Sequence, residues 1–296
     1  MNFKNIGIVS RNHDPLMTDT IKQLSDYLVK NKRCVFLTEQ NPLPNKNKVA
    51  ETEIASLVDL IIAVGGDGTI LHAANLAQHH DVPLLGINRG KLGFLADILP
   101  NEIQDAIKAV LMGDYTEESR MMLEATIVKE KTITHVNLAL NDVVIQRSDT
   151  GRMLDFNTSI ASQYINSYSG DGLIIATPTG STAYSLSCGG PIIEPNLDSY
   201  VMVPICPHTL SVRPLVLPAN KDIEIHLIGK IDSKADVTID GRKLCEIVPN
   251  DTINIKKAPK KTLLIHPPGY DYFEVLRSKL HWGQDNRVRK TLAKEK

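Results

Sequence analysis

Residues 65–69 of this chain, Gly65-Gly66-Asp67-Gly68-Thr69, gather three glycines around one carboxylate. Glycines let backbone N–H groups come close to a phosphate, and a helix amino terminus placed just behind them favours its negative charge. Gly65, Gly66, Gly68 and Thr69 therefore form a candidate phosphate loop. No Lys-Ser or Lys-Thr follows, and the spacing is not GxGxxG, so the loop is neither a Walker loop nor a dinucleotide fingerprint. Asp67 needs its own account. A carboxylate facing bound phosphate is repelled unless it handles a proton or a metal ion; the alternative is that it merely caps the helix beginning near Thr69.

A second constellation runs from Ser169 to Pro191, with Thr177-Pro178-Thr179-Gly180-Ser181-Thr182-Ala183-Tyr184-Ser185 at its centre. Apolar side chains are nearly absent from that central stretch. Hydroxyls supply donors, glycine allows close backbone approach, and Tyr184 adds one aromatic face, a set suited to holding a sugar and a flat base. Taken alone, the segment also reads as a Ser/Thr-rich turn between a strand and a short helix.

These residues must be held by regular elements. Ile6–Val9, then Ile21, Leu24 and Leu28 at helical spacing, then Cys34–Leu37, read as strand, helix, strand. A second unit follows, with a strand at Leu60–Val64, a helix at Thr69–Gln78 and a strand at Pro83–Ile87. Strands without polar alternation are buried on both faces, which indicates a parallel sheet flanked by helices, with the glycine loop at a strand's carboxyl end. Asn41–Lys48 reads as a mobile loop. A further amphipathic helix is expected at Glu102–Met112, ended by Gly113.

From Arg120 the rhythm changes to short strands, at Leu123–Val128, Leu138–Ile145, Leu173–Ala176, Ile223–Ile228, Val237–Ile239 and Thr252–Ile255. Lys256-Lys257 and Lys260-Lys261 read as solvated turns. The organisation expected is an α/β domain over 1–98, a β-rich domain over 99–262, and a segment over 263–296, with a helix near Phe273–Leu280, that packs back on the first domain.

Composition narrows the function classes. With 33 Lys plus Arg against 34 Asp plus Glu, the net charge of −1 lacks the positive excess that would draw the chain to nucleic acid. Cys34, Cys188, Cys206 and Cys245 show no CxxC pair, which argues against structural zinc and against a disulfide framework. They fit reduced thiols in a cytoplasm. Apolar runs such as Leu57–Val64 fall far short of the roughly 20 residues of a spanning helix. A cytoplasmic protein with no membrane and no nucleic-acid partner is expected.

The Gly-Gly-Asp-Gly-Thr loop, Asn88-Arg89-Gly90-Lys91-Leu92-Gly93-Phe94-Leu95, Asn141-Asp142 and the run from Thr177 to Pro191 occur in the order found in the NAD kinases, and the resemblance spans nearly the whole chain. The glycine loop alone is shared with diacylglycerol and sphingosine kinases, and a similar loop occurs in phosphofructokinases. The Thr-Pro-Thr-Gly-Ser-Thr-Ala-Tyr-Ser run is the specific part. The resemblance implies a first domain like that of phosphofructokinases and diacylglycerol kinases, joined to a β-rich domain, with the site in the crevice between them. It implies ATP-dependent phosphorylation of the 2′-hydroxyl of the adenosine ribose of NAD, giving NADP.

By the same resemblance Asp67 is the general base and Gly68 touches the substrate. Asn141 and Asp142 bind the adenosine side of NAD, or form an ordinary turn dipeptide; Arg152 suits the pyrophosphate, or is a lone surface arginine, and Asp171 lies near the nicotinamide end. Ser169 stands where relatives are often basic. Thr182, Ala183, Tyr184, Ser185, Leu186 and Ser187 carry adenine and ribose contacts, with Tyr184 as the stacking ring. His72 stands where many relatives carry Arg and reaches a phosphate or ribose, or is simply solvated. Asp240-Gly241-Arg242 forms a hairpin where relatives end in Gln, which leaves the role of Arg242 open. Asn88 and Phe94 lie in a loop expected to wall the pocket, with Phe94 either an aromatic lid or a core residue. Mg²⁺ arrives with ATP, no residue is assigned as a metal ligand, and the chain is expected to form a homodimer or homotetramer through the β-rich domain. Two alternatives remain at this point: a lipid kinase using the same loop, and a silent NAD-binding sensor.

Overall fold

The structure is a computed structural model that describes residues 3–11, 15–88, 93–96, 98–148, 153–229 and 233–282. The chain divides into two compact units: one runs up to Glu118 and resumes at Leu263, and the other is Ser119–Thr262. In chain order the first contains β1 (Asn5–Val9), α1 (Pro15–Lys30), β2 (Cys34–Thr38), β3 (Lys48–Val49), α2 (Ile54–Leu57), β4 (Leu60–Val64), α3 (Asp67–Ala77), β5 (Leu84–Ile87) and α4 (Ile103–Met112). Strand β6 (Thr116–Lys129) leads into the second unit, which continues with β7 (Thr132–Ala139), β8 (Asp142–Arg147), β9 (Leu154–Ile160), β10 (Gln163–Gly170) and β11 (Gly172–Ala176). After α5 (Tyr184–Ser187) come β12 (Ser199–Ile205), β13 (Leu215–Pro218), β14 (Ile223–Ile228), β15 (Ala235–Ile239) and β16 (Arg242–Ile247). The long β17 (Thr252–His266) leads back to the first unit, and α6 (Tyr272–Leu280) follows.

In the first unit the pairings that join β17, β5, β4, β1, β2 and β3 are parallel. The order is β17, β5, β4, β1, β2, β3, with Ile6 opposite Leu60 and Leu84 opposite both Ile61 and Leu264. All five residues of β4 are buried, as an unalternated apolar strand covered on both faces must be. Helix α1 buries Met17, Ile21, Leu24 and Leu28, one stripe at spacings of four and three, into a core shared with Ile8, Ile62 and Ile265. Gly113, at φ 88°, ends α4 in the left-handed region that glycine adopts without strain.

The second unit is antiparallel. One sheet has the order β13, β12, β11, β8, β15, β16; in the other, β10, β9, β14 and the start of β17 lie side by side, while β6 pairs with β17 and β7. Leu123, Phe156 and Ile225 from one sheet meet Ile145, Leu173 and Val237 from the other in a shared core.

Four expectations are corrected. The division falls at 118/119 rather than 98/99, because α4 buries Ala106, Ile107 and Val110 in the first unit's core. Residues 41–48 are tied down: Asn45 and Asn47 both donate to the Val35 carbonyl at 3.2 Å, and Lys48 opens β3. The lysine pairs at 256–257 and 260–261 lie within β17, not in turns. Residues 138–145 are two strands, broken at Leu140 and Asn141. Strands β9, β10, β12, β13 and β16 were not anticipated. No helix among the described residues is long and apolar enough to cross a membrane.

Candidate functional site

Strand β4 ends at Val64, and the Gly65 amide donates to the Ile87 carbonyl at the end of neighbouring β5 (2.9 Å). The glycine loop and the segment 93–96 thus leave the same carboxyl edge of a parallel sheet, where open α/β folds collect ligands. Helix α3 starts at Asp67, with Gly66 in the capping position and no side-chain cap. Asp67 is therefore not the N-cap. Its Oδ2 accepts the Phe94 amide at 3.0 Å, while Oδ1 accepts those of Leu95 at 3.0 Å and Ala96 at 3.3 Å. The side chain is half-buried, and three donors leave one of its roughly four lone-pair positions open.

The glycines divide by what surrounds them. A methyl at Gly65 would lie 2.2 Å from Oγ1 of Thr69, and one at Gly93 would lie 2.2 Å from Oδ1 of Asp67, so close protein packing requires both. At Gly66 and Gly68 a methyl would meet nothing within 4 Å, and both residues are exposed. Protein packing does not demand glycine there, so the backbone at both positions is open to solvent. Asn88 is buried, with Nδ2 on the Ala96 carbonyl at 3.3 Å, and Phe94 is half-buried with the Lys279 ammonium 6.0 Å from its ring centre. His72 turns to Glu51, at 2.7 Å, five residues along α3 from Asp67. A cavity of about 560 Å³ in this unit lies between α4 and residues 267–275 and includes none of the glycine-loop residues.

In the second unit, the hydroxyl-rich run spends much of its polarity internally, as the Ser/Thr-rich turn also read from the segment would. Thr177 Oγ1 donates to the Leu140 carbonyl (2.6 Å) and accepts the Gly180 amide (3.0 Å). Ser181 Oγ donates to the Pro178 carbonyl at 2.6 Å and accepts the Ile193 amide at 2.9 Å. Thr179 Oγ1 accepts from Nη1 of the buried Arg120 at 3.2 Å. A buried hydroxyl without a partner is costly, so a tight turn of such residues satisfies itself first. Ser185 is fully buried, and its Oγ has no hydrogen-bond partner. Tyr184 is 42 % exposed, which leaves its ring open to stack, and Thr182, Ala183, Leu186 and Ser187 keep partial or full exposure.

Asn141 and Asp142 sit beside this turn. The Asn141 carbonyl accepts the Thr177 amide at 2.8 Å, and a methyl at Gly180 would lie 2.1 Å from that carbonyl oxygen. Asp142 is buried, and its carboxyl is pushed up from the usual 3.8 to about 7, first by burial and then by the neighbouring Asp240. The Asp240 carboxyl is also raised by burial, against the opposing effect of three backbone amides that it accepts. Asp171 forms an ion pair with Arg147 at 3.4 Å, and the Ser169 hydroxyl donates to Asp155. Arg242, exposed, lies two residues past Asp240 at the start of β16. Arg152 and residues 89–92 lie outside the described residues.

Sequence reasoning placed Asp240 in a hairpin without giving its carboxylate a role, and it did not single out Arg120. The Asp-Gly pair at 240–241 signals a hairpin turn but not what its carboxylate binds. For Arg120 the signal was an arginine abutting the apolar run Met121-Met122-Leu123.

Two family descriptions match the chain: the ATP-NAD kinase N-terminal domain over residues 7–115 and the ATP-NAD kinase C-terminal domain over 140–267. A curated relative, the NAD kinase of Pseudomonas putida (strain W619), is 43% identical over 285 residues, which is 95% of this chain and 96% of the relative. Yeast NADH kinase, solved in complex with NADH, shares the fold at a TM-score of 0.86 and 24% identity, over 96% of this chain and 89% of that one. An NAD kinase from Archaeoglobus fulgidus in complex with ATP superposes at a TM-score of 0.73 with 25% identity, over 94% and 98% of the two chains.

Proposed function

This chain belongs to the ATP-NAD kinase family, and we infer from that membership and from its own residues how it phosphorylates the 2′-hydroxyl of the adenosine ribose of NAD at the expense of ATP. The observation that carries the assignment of roles is the Asp67 carboxylate, held by three amides at the head of α3 among glycines open to a ligand. Held in this way, it accepts the ribose proton as the hydroxyl oxygen bonds to the γ-phosphorus; an Asp suffices because the hydroxyl becomes acidic only as that bond forms. The backbone at Gly66 and Gly68, with the amino end of α3, receives phosphate oxygens. Phosphoryl transfer depends mainly on positioning and on neutralising charge, and Mg²⁺ carried by ATP supplies neutralisation; no residue here is assigned to hold it.

In the second unit, Asn141 and Asp142 hold the adenosine side, Tyr184 stacks on a base, and Asp171 serves the nicotinamide end. The backbone and exposed groups from Thr182 to Ser187 complete the contacts, with Ser185 acting through its main chain because its side chain is enclosed. Arg152 takes the pyrophosphate. His72, Ser169 and Arg242 are secondary contributors, since His72 is paired with Glu51 and Ser169 with Asp155. The first unit shares the phosphofructokinase and diacylglycerol-kinase type of fold. The enzyme works in the cytoplasm as a homodimer or homotetramer joined through the β-rich unit, which light scattering at assay concentration tests.

Incubation with NAD, ATP and Mg²⁺ should yield NADP and ADP in equal amounts. ADP release without NADP, or phosphate transfer to lipid vesicles in place of NAD, would overturn the reading. The lipid-kinase and silent-sensor alternatives are not favoured.

A further inference from the structure

We propose that Asp240 is a positioning residue for the dinucleotide side of the site, fixing Asn141 and Asp142 through their backbone amides. The role rests on the kinase reading above; the geometry beneath it does not. Asp240 and Gly241, at φ 48° and 74°, form the two-residue turn between β15 and β16, where both central residues must lie in the left-handed region. Asn, Asp and Gly all satisfy such a turn, so the turn alone does not demand a carboxylate.

The carboxylate is occupied elsewhere. Its Oδ2 accepts the Leu140 amide at 2.9 Å, and Oδ1 accepts the Asn141 amide at 2.7 Å and the Asp142 amide at 3.2 Å. The Asp240 amide in turn donates to the Asp142 carbonyl at 3.1 Å. Three consecutive amides aimed at one group cannot also serve a flat ladder, which is why β7 and β8 are separate strands with Asn141 at the bend. The bend carries the hydroxyl turn with it, because Thr177 is bonded to the carbonyls of both Leu140 and Asn141, and Gly180 packs on Asn141 too closely for any side chain.

Buried amides need acceptors, and an ionised acceptor makes the stronger bonds. The arrangement also places a second carboxylate beside Asp142, at a cost in charge repulsion. Asp240 thus holds in register the two segments that the kinase reading assigns to NAD, without touching the substrate itself.

Asp240→Asn tests this, since Asn-Gly is a favoured pair for the same turn. The variant removes the charge and turns an N–H₂ group toward an amide that needs an acceptor. KM for NAD should rise about tenfold, the loss expected from one charge-assisted hydrogen bond, while kcat and KM for ATP change by less than about threefold. Amide hydrogen exchange at residues 140–142 and 177 should accelerate. A purely structural role would reduce the active fraction, lowering kcat at unchanged KM. Asp240→Ala, which removes all three bonds, should raise KM further; if it does not fold, Asp240→Asn decides alone. If the wild type forms NADP and Asp240→Asn keeps its KM for NAD, the inference is overturned and the kinase reading stands. If the wild type forms no NADP, the kinase reading fails and the role proposed for Asp240 fails with it, whereas the exchange comparison still reports whether the three amides are clamped.

Discussion

Gly93 lies so close to Asp67 that a methyl group on it would sit 2.2 Å from the carboxylate oxygen Oδ1. The same methyl would be 3.1 Å from the Ala96 carbonyl, so neither the Asp67 carboxylate nor the loop that holds it has room to yield without the other. Gly93→Ala should therefore fold, with a loss of about 1 to 3 kcal/mol from overpacking, and, with Asp67 as the proposed base, lose turnover by about tenfold or more as its carboxylate is displaced. Thermal unfolding and steady-state kinetics separate the two effects. Wild-type turnover in a folded variant would show that the segment 93–96 does not position Asp67 for the reaction.

Asp67→Asn tests the proposed base directly. The carboxamide keeps the size of the side chain and one acceptor oxygen, so the fold and most of the NAD affinity should persist. It has no basicity toward a ribose hydroxyl, and kcat should fall by roughly 10² to 10⁴. The informative comparison is kcat against KM for NAD: a change confined to KM assigns Asp67 to binding, not to proton transfer.

Gly180→Ala probes the second unit. The added methyl would stand 2.1 Å from the Asn141 carbonyl oxygen and 2.7 Å from its Cα, both backbone, so no rotamer relieves it. A destabilisation of about 1 to 3 kcal/mol is expected, with a raised KM for NAD as Asn141 is pushed from the turn. A variant with unaltered melting temperature and KM would show that this contact is slack.

What could be read beforehand follows from the range of the forces involved. The burial of β4 and the stripe on α1 are local patterns, and both were plain in the sequence. So was the glycine loop, because strand, glycines and helix start are contiguous. The Asp240 clamp was hidden because its donors lie 98 to 100 residues away. The inward turn of Thr177 and Ser181 was hidden for a related reason: a hydroxyl reads the same whether it faces a ligand or a carbonyl of its own chain. Strand β12 was obscured by Pro204, which argues against a central strand. The structure tolerates it because pairing with β13 stops at Met202, so the missing N–H is not needed on that side. Strand β9 was obscured by its polar residues, although Leu154, Phe156, Thr158 and Ile160 alternate inward as a half-buried strand should.

Asp142 gives the stability of the enzyme a pH dependence whose sign is unusual for a carboxylate. Its folded pKa is raised, from 3.8 to about 7, so the folded protein holds this proton more tightly than the unfolded chain does. Stability from this group is fully present below about pH 4 and declines as pH rises through about 7, where the buried charge must form beside Asp240. Asp142→Asn is neutral throughout that window. Relative to wild type, the variant should gain on the order of 2 to 4 kcal/mol between pH 4 and pH 8, whatever its offset at pH 4. Asp240 titrates in both proteins, and its own burial therefore largely cancels in the comparison. Denaturant unfolding of the two proteins across this range measures the difference. A gap that stays constant with pH would mean that Asp142 ionises as readily in the folded protein as in the unfolded chain, and that the two carboxylates do not share a desolvated site.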